Sequence, residues 1–256
     1  MGTSKFSRKR VVISCLSALL VTLGVFVSHL LRNSSQFIIK NIVVESDLDG
    51  SPVSATDVIQ LADVKVGTTN LFSLFPDRIA DKVKANEWIK GATVTKEFPS
   101  TLRIQLELRV PVAMAVNASG VLTYVDSSGA FFLKANPALN FDLPLLTGMD
   151  SLPEYKRVEA VNVLALWKKA RLEEVSQVTE VHYNPESGYD LLVIYPSKQN
   201  LARTFVQFGQ DFDIDSENQF SKLRSVFKYL IEKDLTASRI LAENEKKIVV
   251  KIAHGS

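Results

Sequence analysis

Residues 11–31, VVISCLSALLVTLGVFVSHLL, contain no Asp, Glu, Lys or Arg. As a helix rising about 1.5 Å per residue, such a run crosses the roughly 30 Å hydrocarbon core of a bilayer. A cleaved secretion signal has an apolar core of about 7–15 residues ending in a small-residue cleavage site. Here the core is longer and Arg32-Asn33 follows it, so an uncleaved anchor is expected. Lys5, Arg8, Lys9 and Arg10 precede the run without an acidic residue, whereas Glu45, Asp47 and Asp49 follow it. Positive charge collects on the cytoplasmic flank, so residues 1–10 are expected inside and the rest of the chain outside. His29 and the serines of the span are tolerated in a single-pass helix and receive no role.

What lies outside must pack without covalent staples. The one cysteine, Cys15, sits inside the apolar run, which excludes an intrachain disulfide and a thiolate metal site. With 256 residues, two domains of ordinary size fit. Thirty basic against 28 acidic residues leave a net charge of +2, without the clustered basic excess that nucleic acid requires.

Past a polar link, RNSSQ at 32–36, FIIKNIVVES reads as a strand and SATDVIQLADV as a short helix that Ser54 or Thr56 caps. PDRIADKVKANEWIKG reads as a second helix with Pro76 in its first turn, Ile79 and Val83 on one face, and Gly91 as its stop. TVTKE, a turn at FPS and TLRIQLEL then form a hairpin. Leu102, Ile104, Leu106 and Leu108 share one side of its second strand; Thr101, Arg103, Gln105, Glu107 and Arg109 share the other. Further on, a helix is expected at about 153–171 with Val158, Val161, Leu164, Ala165 and Trp167 inward. Strands follow at VTEVHYN, YDLLVIYP and RTFVQFG. A helix at about 217–234 opens with a capping box, Ser216 to Gln219, and turns Phe220, Leu223, Val226, Phe227 and Leu230 inward. A hairpin, ASRILAE and KKIVVKI with its turn near Asn244 and Glu245, ends the pattern.

The β-α-α-β-β order, VGTTNLF before the second helix and VTKEFPSTLRIQLELRVPVA together resemble a POTRA domain, specifically that of the FtsQ/DivIB family of bacterial division proteins. The family pattern, basic-x-[FW]-P-x-T-[LI]-x-[IV] then E-R-x-P-V-A, is met by Lys96, Phe98, Pro99, Thr101, Leu102, Ile104, Arg109, Pro111, Val112 and Ala113. Leu108 stands where the family has glutamate, with Glu107 one place early, and a shift of one residue reverses a strand side chain's facing. Val125, Asp126, Gly129 and Phe132 match its V-D-x-x-G-x-x-F hairpin, and Pro144 and Gly148 its L-P-x-[LI]-x-G. The last hairpin departs, placing Leu241 and Glu243 where aspartate and arginine are usual.

The resemblance implies an α+β chain: a cytoplasmic tail at 1–10, a transmembrane helix at 11–31, a POTRA domain at 37–113, and a mixed β domain with flanking helices at 114–256. It also implies a single-pass protein of the bacterial inner membrane, located at the division septum. Catalytic chemistry finds no support: no phosphate-binding glycine motif and no nucleophile elbow occurs. His182 reads as a strand-face histidine. Asp211, Asp213 and Asp215 have calcium-loop spacing, but Ser216 and Lys222 replace the required glycine and glutamate. Lys168, Lys169 and Arg171 suit the negative end of a helix. No catalytic residue, metal, cofactor or small-molecule substrate is therefore expected.

An open sheet offers a different means of action, since its edge strand can take up a partner's strand. In the family the last strand receives the FtsB-type member of the FtsB/FtsL pair, and through it the septal peptidoglycan synthase is controlled. By position that strand is about 246–252, with Ile248 and Val250 toward the core and Lys247, Val249 and Lys251 outward. The charged hairpin face, Arg103, Gln105 and Glu107, is a second contact candidate. The competing reading is another POTRA-bearing membrane protein acting in export or envelope assembly.

Overall fold

A computed structural model describes residues 8–46, 52–139, 141–149, 152–198, 200–210, 217–244 and 247–253. The first helix, α1 (Arg8–Asn33), is longer than the expected span at both ends. Residues 13–33 of it are long and apolar enough to cross a membrane. Leu19, Leu20, Val21, Val25 and Phe26 are all exposed along it, an arrangement that only an apolar surrounding stabilises.

The chain divides after Leu108 into two compact units. In the first, a 3-10 turn at Ser35–Phe37 replaces the start of the expected strand, and β1 is only Asn41–Glu45. Ser54 caps α2 (Ala55–Ala62) in a closed box: its hydroxyl accepts from the Asp57 N–H, and the Asp57 carboxylate accepts from the Ser54 N–H at 3.0 Å. Pro76 opens α3 (Pro76–Val83), which stops seven residues before the expected end at residue 90. Continued as a helix, the chain would carry Trp88 and Ile89 about 140° and 240° round from Val83, away from the core. A turn at Asn86 instead buries both, and Gly91 lies inside the next strand rather than at a helix stop.

That strand, β2 (Ile89–Glu97), pairs antiparallel with β3 (Thr101–Leu108), and β3 pairs parallel with β1, giving the order β1-β3-β2. Leu102 and Ile104 are fully buried with Ile39, Val58, Ile79 and Val83. The alternation seen in the sequence thus sets which face of the hairpin meets the helices.

The second unit holds β4 (Pro111–Val116), β5 (Leu122–Asp126), β6 (Phe131–Lys134), β7 (Leu145–Thr147), β8 (Gln177–Asn184), β9 (Gly188–Pro196), β10 (Leu201–Gly209), β11 (Ala237–Asn244) and β12 (Lys247–Ile252). They form one mixed sheet ordered β12-β11-β10-β9-β8-β7-β4-β5-β6. Because β4 hydrogen-bonds to β5 and β7, the chain from Arg109 on belongs to this unit, a few residues earlier than the sequence reading ends the POTRA domain.

Helices α4 (Glu154–Lys169) and α5 (Glu217–Lys233) supply the core beside this sheet. In β9, Tyr189, Leu191, Val193 and Tyr195 are buried at alternate positions. Trp167 meets Phe220 and Phe227 edge-on at 6.4 and 5.8 Å. Val161 and Trp167 are buried as expected and Val158 and Leu164 partly so, but Ala165 is exposed and Val163 takes the core position. Phe220, Leu223, Phe227 and Leu230 line the inner stripe of α5, with Val226 half-buried at its margin. Ser216, the supposed cap, lies outside the described residues, as do Asp211, Asp213 and Asp215; Gln219 is buried and donates to the Ala242 carbonyl.

The motif residues form a joint within the second unit. Arg109 donates to the buried Asp126 carboxylate at 2.6 Å and lies over the Phe132 ring, while Asp126 also accepts from Ser128 and Ala130 across the turn that Gly129 closes at φ +78°. A Cβ on Gly129 would meet Val158 at 2.9 Å, so this turn seats directly on α4.

Candidate partner-docking edge

The large sheet has two edges, β6 and β12. The four-residue β6 is short. β12 has six residues and among the described residues pairs only with β11, in the register Ile240↔Val250, Leu241↔Val249 and Arg239↔Lys251. In an antiparallel pair alternate residues direct their N–H and C=O groups away from the partner strand, so about three residues of β12 present unpaired backbone outward.

Side-chain facing follows from the same alternation. Ile248 and Val250 pack against the core, while Lys247, Val249 and Lys251 are exposed, each where the sequence pattern puts it. Lys246, the first residue of the expected strand, lies outside the described residues.

Each side of the strand carries apolar surface. Toward the helix side, Ser225, Val226, Tyr229, Leu230, Val250 and Ile252 line a groove of about 280 Å³ between α5 and β12. Tyr229 is 55% exposed and Ile252 40% exposed, large values for side chains of this size. On the other face Val249 and Phe205 are exposed, and the Arg239 guanidinium stands 5.9 Å from the Phe205 ring while donating to Gln207. Sequence periodicity missed the groove because Tyr229 falls off the 220, 223, 227, 230 stripe, where an aromatic reads as a solvated helix position.

The second candidate, the charged face of β3, is occupied by its own neighbours. Arg103 donates to Glu97 at 2.5 Å and pairs with Glu45, Gln105 donates to Glu45 at 3.1 Å, and Lys90 to Glu107 at 2.6 Å. Glu107 is therefore a partner of β2, and Leu108 in the family's glutamate position is half-buried at the strand end. Cross-strand pairs of this exposed kind are worth about 0–1 kcal/mol each.

Several other polar groups among the described residues are engaged within the fold. The His182 ring lies 2.8 Å from the Thr147 hydroxyl on the neighbouring strand. Burial pushes the Tyr189 phenol far above its ordinary range, an effect strengthened by Glu159, to which it donates at 2.5 Å. Lys156 sits among the Tyr155, Tyr183 and Tyr189 rings at 4.5–5.6 Å, and Lys168 and Lys169 close α4 as its dipole favours. Among the described residues no group of three or more His, Cys, Asp or Glu side chains is placed to hold a metal.

Residues 39–109 match the family described as "POTRA domain, FtsQ-type". The cell division protein FtsQ of Syntrophotalea carbinolica is 23% identical over 245 residues, covering 93% of this chain and 82% of that protein. Its namesake in Anaeromyxobacter sp. strain K is 28% identical over 214 residues, covering 79% and 68%. The Rhodothermus marinus FtsQ is 40% identical over 91 residues, 35% of this chain and 33% of that protein. The first unit thus holds a POTRA domain of the FtsQ type, and the chain is similar to FtsQ cell division proteins through most of both units.

Proposed function

We propose that this division protein is a membrane-anchored, non-enzymatic scaffold that recruits FtsB/FtsL-type proteins through β12 and, through them, helps control the septal peptidoglycan synthase. Its N-terminus is cytoplasmic, α1 spans the inner membrane, and both units stand outside at the septum, a single-pass type II arrangement. The first unit acts as the POTRA domain and the second, from Arg109 on, as the partner-binding domain. One observation supports the reading above the others: β12 is a six-residue edge with an apolar groove along one side and exposed Val249 on its other face.

A partner strand laid along β12 gains backbone hydrogen bonds worth about 0.5–1.5 kcal/mol each net. Three or four of these, with apolar side chains covering Tyr229 and Ile252, act against the loss of translational and rotational freedom on association. Lys247 and Lys251 discourage indiscriminate strand pairing and attract a partner bearing carboxylates. No bond-making step is involved.

The test is binding of the anchored chain, reconstituted in nanodiscs, to the external segment of the same organism's FtsB-type protein. Val250→Pro removes one of the outward-facing backbone donors of the strand, since the Lys251 carbonyl and the Ala253 N–H are directed toward β11 and the direction alternates, and circular dichroism verifies that it folds. Loss of binding by at least tenfold supports docking at β12. Binding equal to the parent rejects it.

A further inference from the structure

At the point where α1 ends, the first unit presents a feature the docking edge does not explain. The Asn70 side-chain amide, 8% exposed, donates to the Leu31 and Ser34 carbonyls at 3.1 and 3.0 Å, and its oxygen accepts from the Phe72 N–H at 2.8 Å. The two carbonyls lie at and just past the end of α1 and also accept from the Ser34 and Phe37 N–H groups, so one side chain ties the end of the span to the domain. Beside it Phe37, Phe72 and Phe98 form an aromatic cluster with centroids 4.8, 5.0 and 6.0 Å apart.

The cluster is not closed over. Phe98, at the tip of the β2–β3 hairpin, is 54% exposed. Arg32, Lys40 and Lys96 lie in the same segments, and among the described residues none of the three has an acidic partner. Burial lowers the Lys96 ammonium below its ordinary value and the nearby Arg32 charge lowers it further, so these two cations stand close together.

Phe37 lies four residues after Asn33, the end of the span, and at most about 14 Å of chain separates them. Aromatic rings beside unpaired cations, within that distance of the hydrocarbon, match the composition of the membrane–water interface: rings at headgroup level, Lys and Arg against acidic phosphates. We infer that the hairpin tip and the 3-10 turn of the first unit dock on the outer leaflet, with Phe98 at the headgroup–acyl boundary and Arg32, Lys40 and Lys96 on acidic headgroups. The unit then sits on the bilayer rather than swinging from a free linker, which fixes the direction in which its sheet points. The inference rests on α1 spanning the membrane.

The experiment uses the full chain in vesicles of phosphatidylglycerol and phosphatidylethanolamine, with a nitroxide at one of three positions. Native Cys15 reports the span; in a Cys15→Ser background, Phe98→Cys reports the tip and Lys90→Cys the other end of β2, about 25 Å away along the strand. A label at Cys15 reached by oxygen and not by a water-soluble nickel complex establishes the anchor. Docking then predicts a severalfold higher oxygen-to-nickel accessibility ratio at 98 than at 90, and a smaller difference in phosphatidylcholine vesicles. A Phe98→Trp variant, read by brominated-lipid quenching against the parent, avoids the bulk of the label and should lose emission. Equal accessibility at 98 and 90, with Cys15 in hydrocarbon and no added quenching, overturns the docking alone; a water-exposed Cys15 overturns the anchor and the docking together.

Discussion

Replacing Asp126 tests whether the sequence motifs at 109 and 125–132 form the structural joint described above. Its side chain is 4% exposed and accepts from Arg109 at 2.6 Å, from the Ser128 N–H at 2.9 Å and hydroxyl at 2.5 Å, and from the Ala130 N–H at 3.3 Å. Asp126→Ala removes all four and leaves the Arg109 guanidinium, 28% exposed, without its counter-charge. Breaking a fully buried ion pair costs about 3–5 kcal/mol. Partial solvation of Arg109 places the expected loss near the lower end, about 3 kcal/mol. Asp126→Asn keeps an acceptor for the turn and should cost about half as much.

Trp167 lies in the second unit and Trp88 in the first, so in a Trp88→Phe background fluorescence follows the second unit alone. In urea the Ala variant should unfold about 3 kcal/mol earlier, equivalent to a melting shift of roughly 6–12 °C for a unit of this size. The pH dependence has a definite sign. Burial by itself would raise the Asp126 carboxyl, but hydrogen bonds from Ser128, Ala130 and Arg109 outweigh it and hold the group below its ordinary value. A carboxyl depressed in the fold stabilises above its unfolded value of about 3.9 and loses that contribution as pH falls through the folded value. The parent's advantage over Asp126→Ala should therefore be constant from pH 5 to 7 and shrink below about pH 4. A difference under about 0.5 kcal/mol at neutral pH would show that the joint does not bind these segments together.

Three further outcomes follow from particular contacts. Phe227→Ala empties a site packed against Trp167 and Tyr195 and should destabilise the second unit by about 3–5 kcal/mol, read by the same Trp167 fluorescence. Gly148→Ala should be destabilising by more than about 2 kcal/mol in thermal unfolding, because the residue adopts φ +72° and its Cβ would stand 2.3 Å from the Tyr183 carbonyl oxygen. Arg103→Met should change stability by less than about 1 kcal/mol, since its partners Glu97 and Glu45 remain partly solvated, and a loss above 2 kcal/mol in urea unfolding would contradict the reading of that face as a local ladder.

Much of the fold could be read because alternation and capping are local properties. TLRIQLEL buried Leu102 and Ile104 on schedule, Ser54 capped its helix, and the facing of Ile248, Val249 and Val250 came out of a period of two. The errors arose where a distant element decided the outcome. EWIKG followed a helical pattern, but Trp88 and Ile89 reach the core only once the chain has turned into β2. Val163 and Ala165 were exchanged because the stripe of α4 depends on where the sheet lies beneath it. Of the docking edge, the strand was legible and the groove was not, because it is made by two separate elements, with Tyr229 and Ile252 each unremarkable within its own segment. The Asn70 bonds to Leu31 and Ser34 were equally hidden, since nothing local marks one asparagine as the partner of a helix end almost forty positions earlier.

Amide hydrogen exchange of the anchored chain, with and without the external segment of its FtsB-type partner, tests the central claim most directly. Strand addition predicts that amides in residues 247–252 slow by at least tenfold on binding, with little change at β6. A bound complex in which those amides exchange as fast as in the free chain would contradict docking at β12.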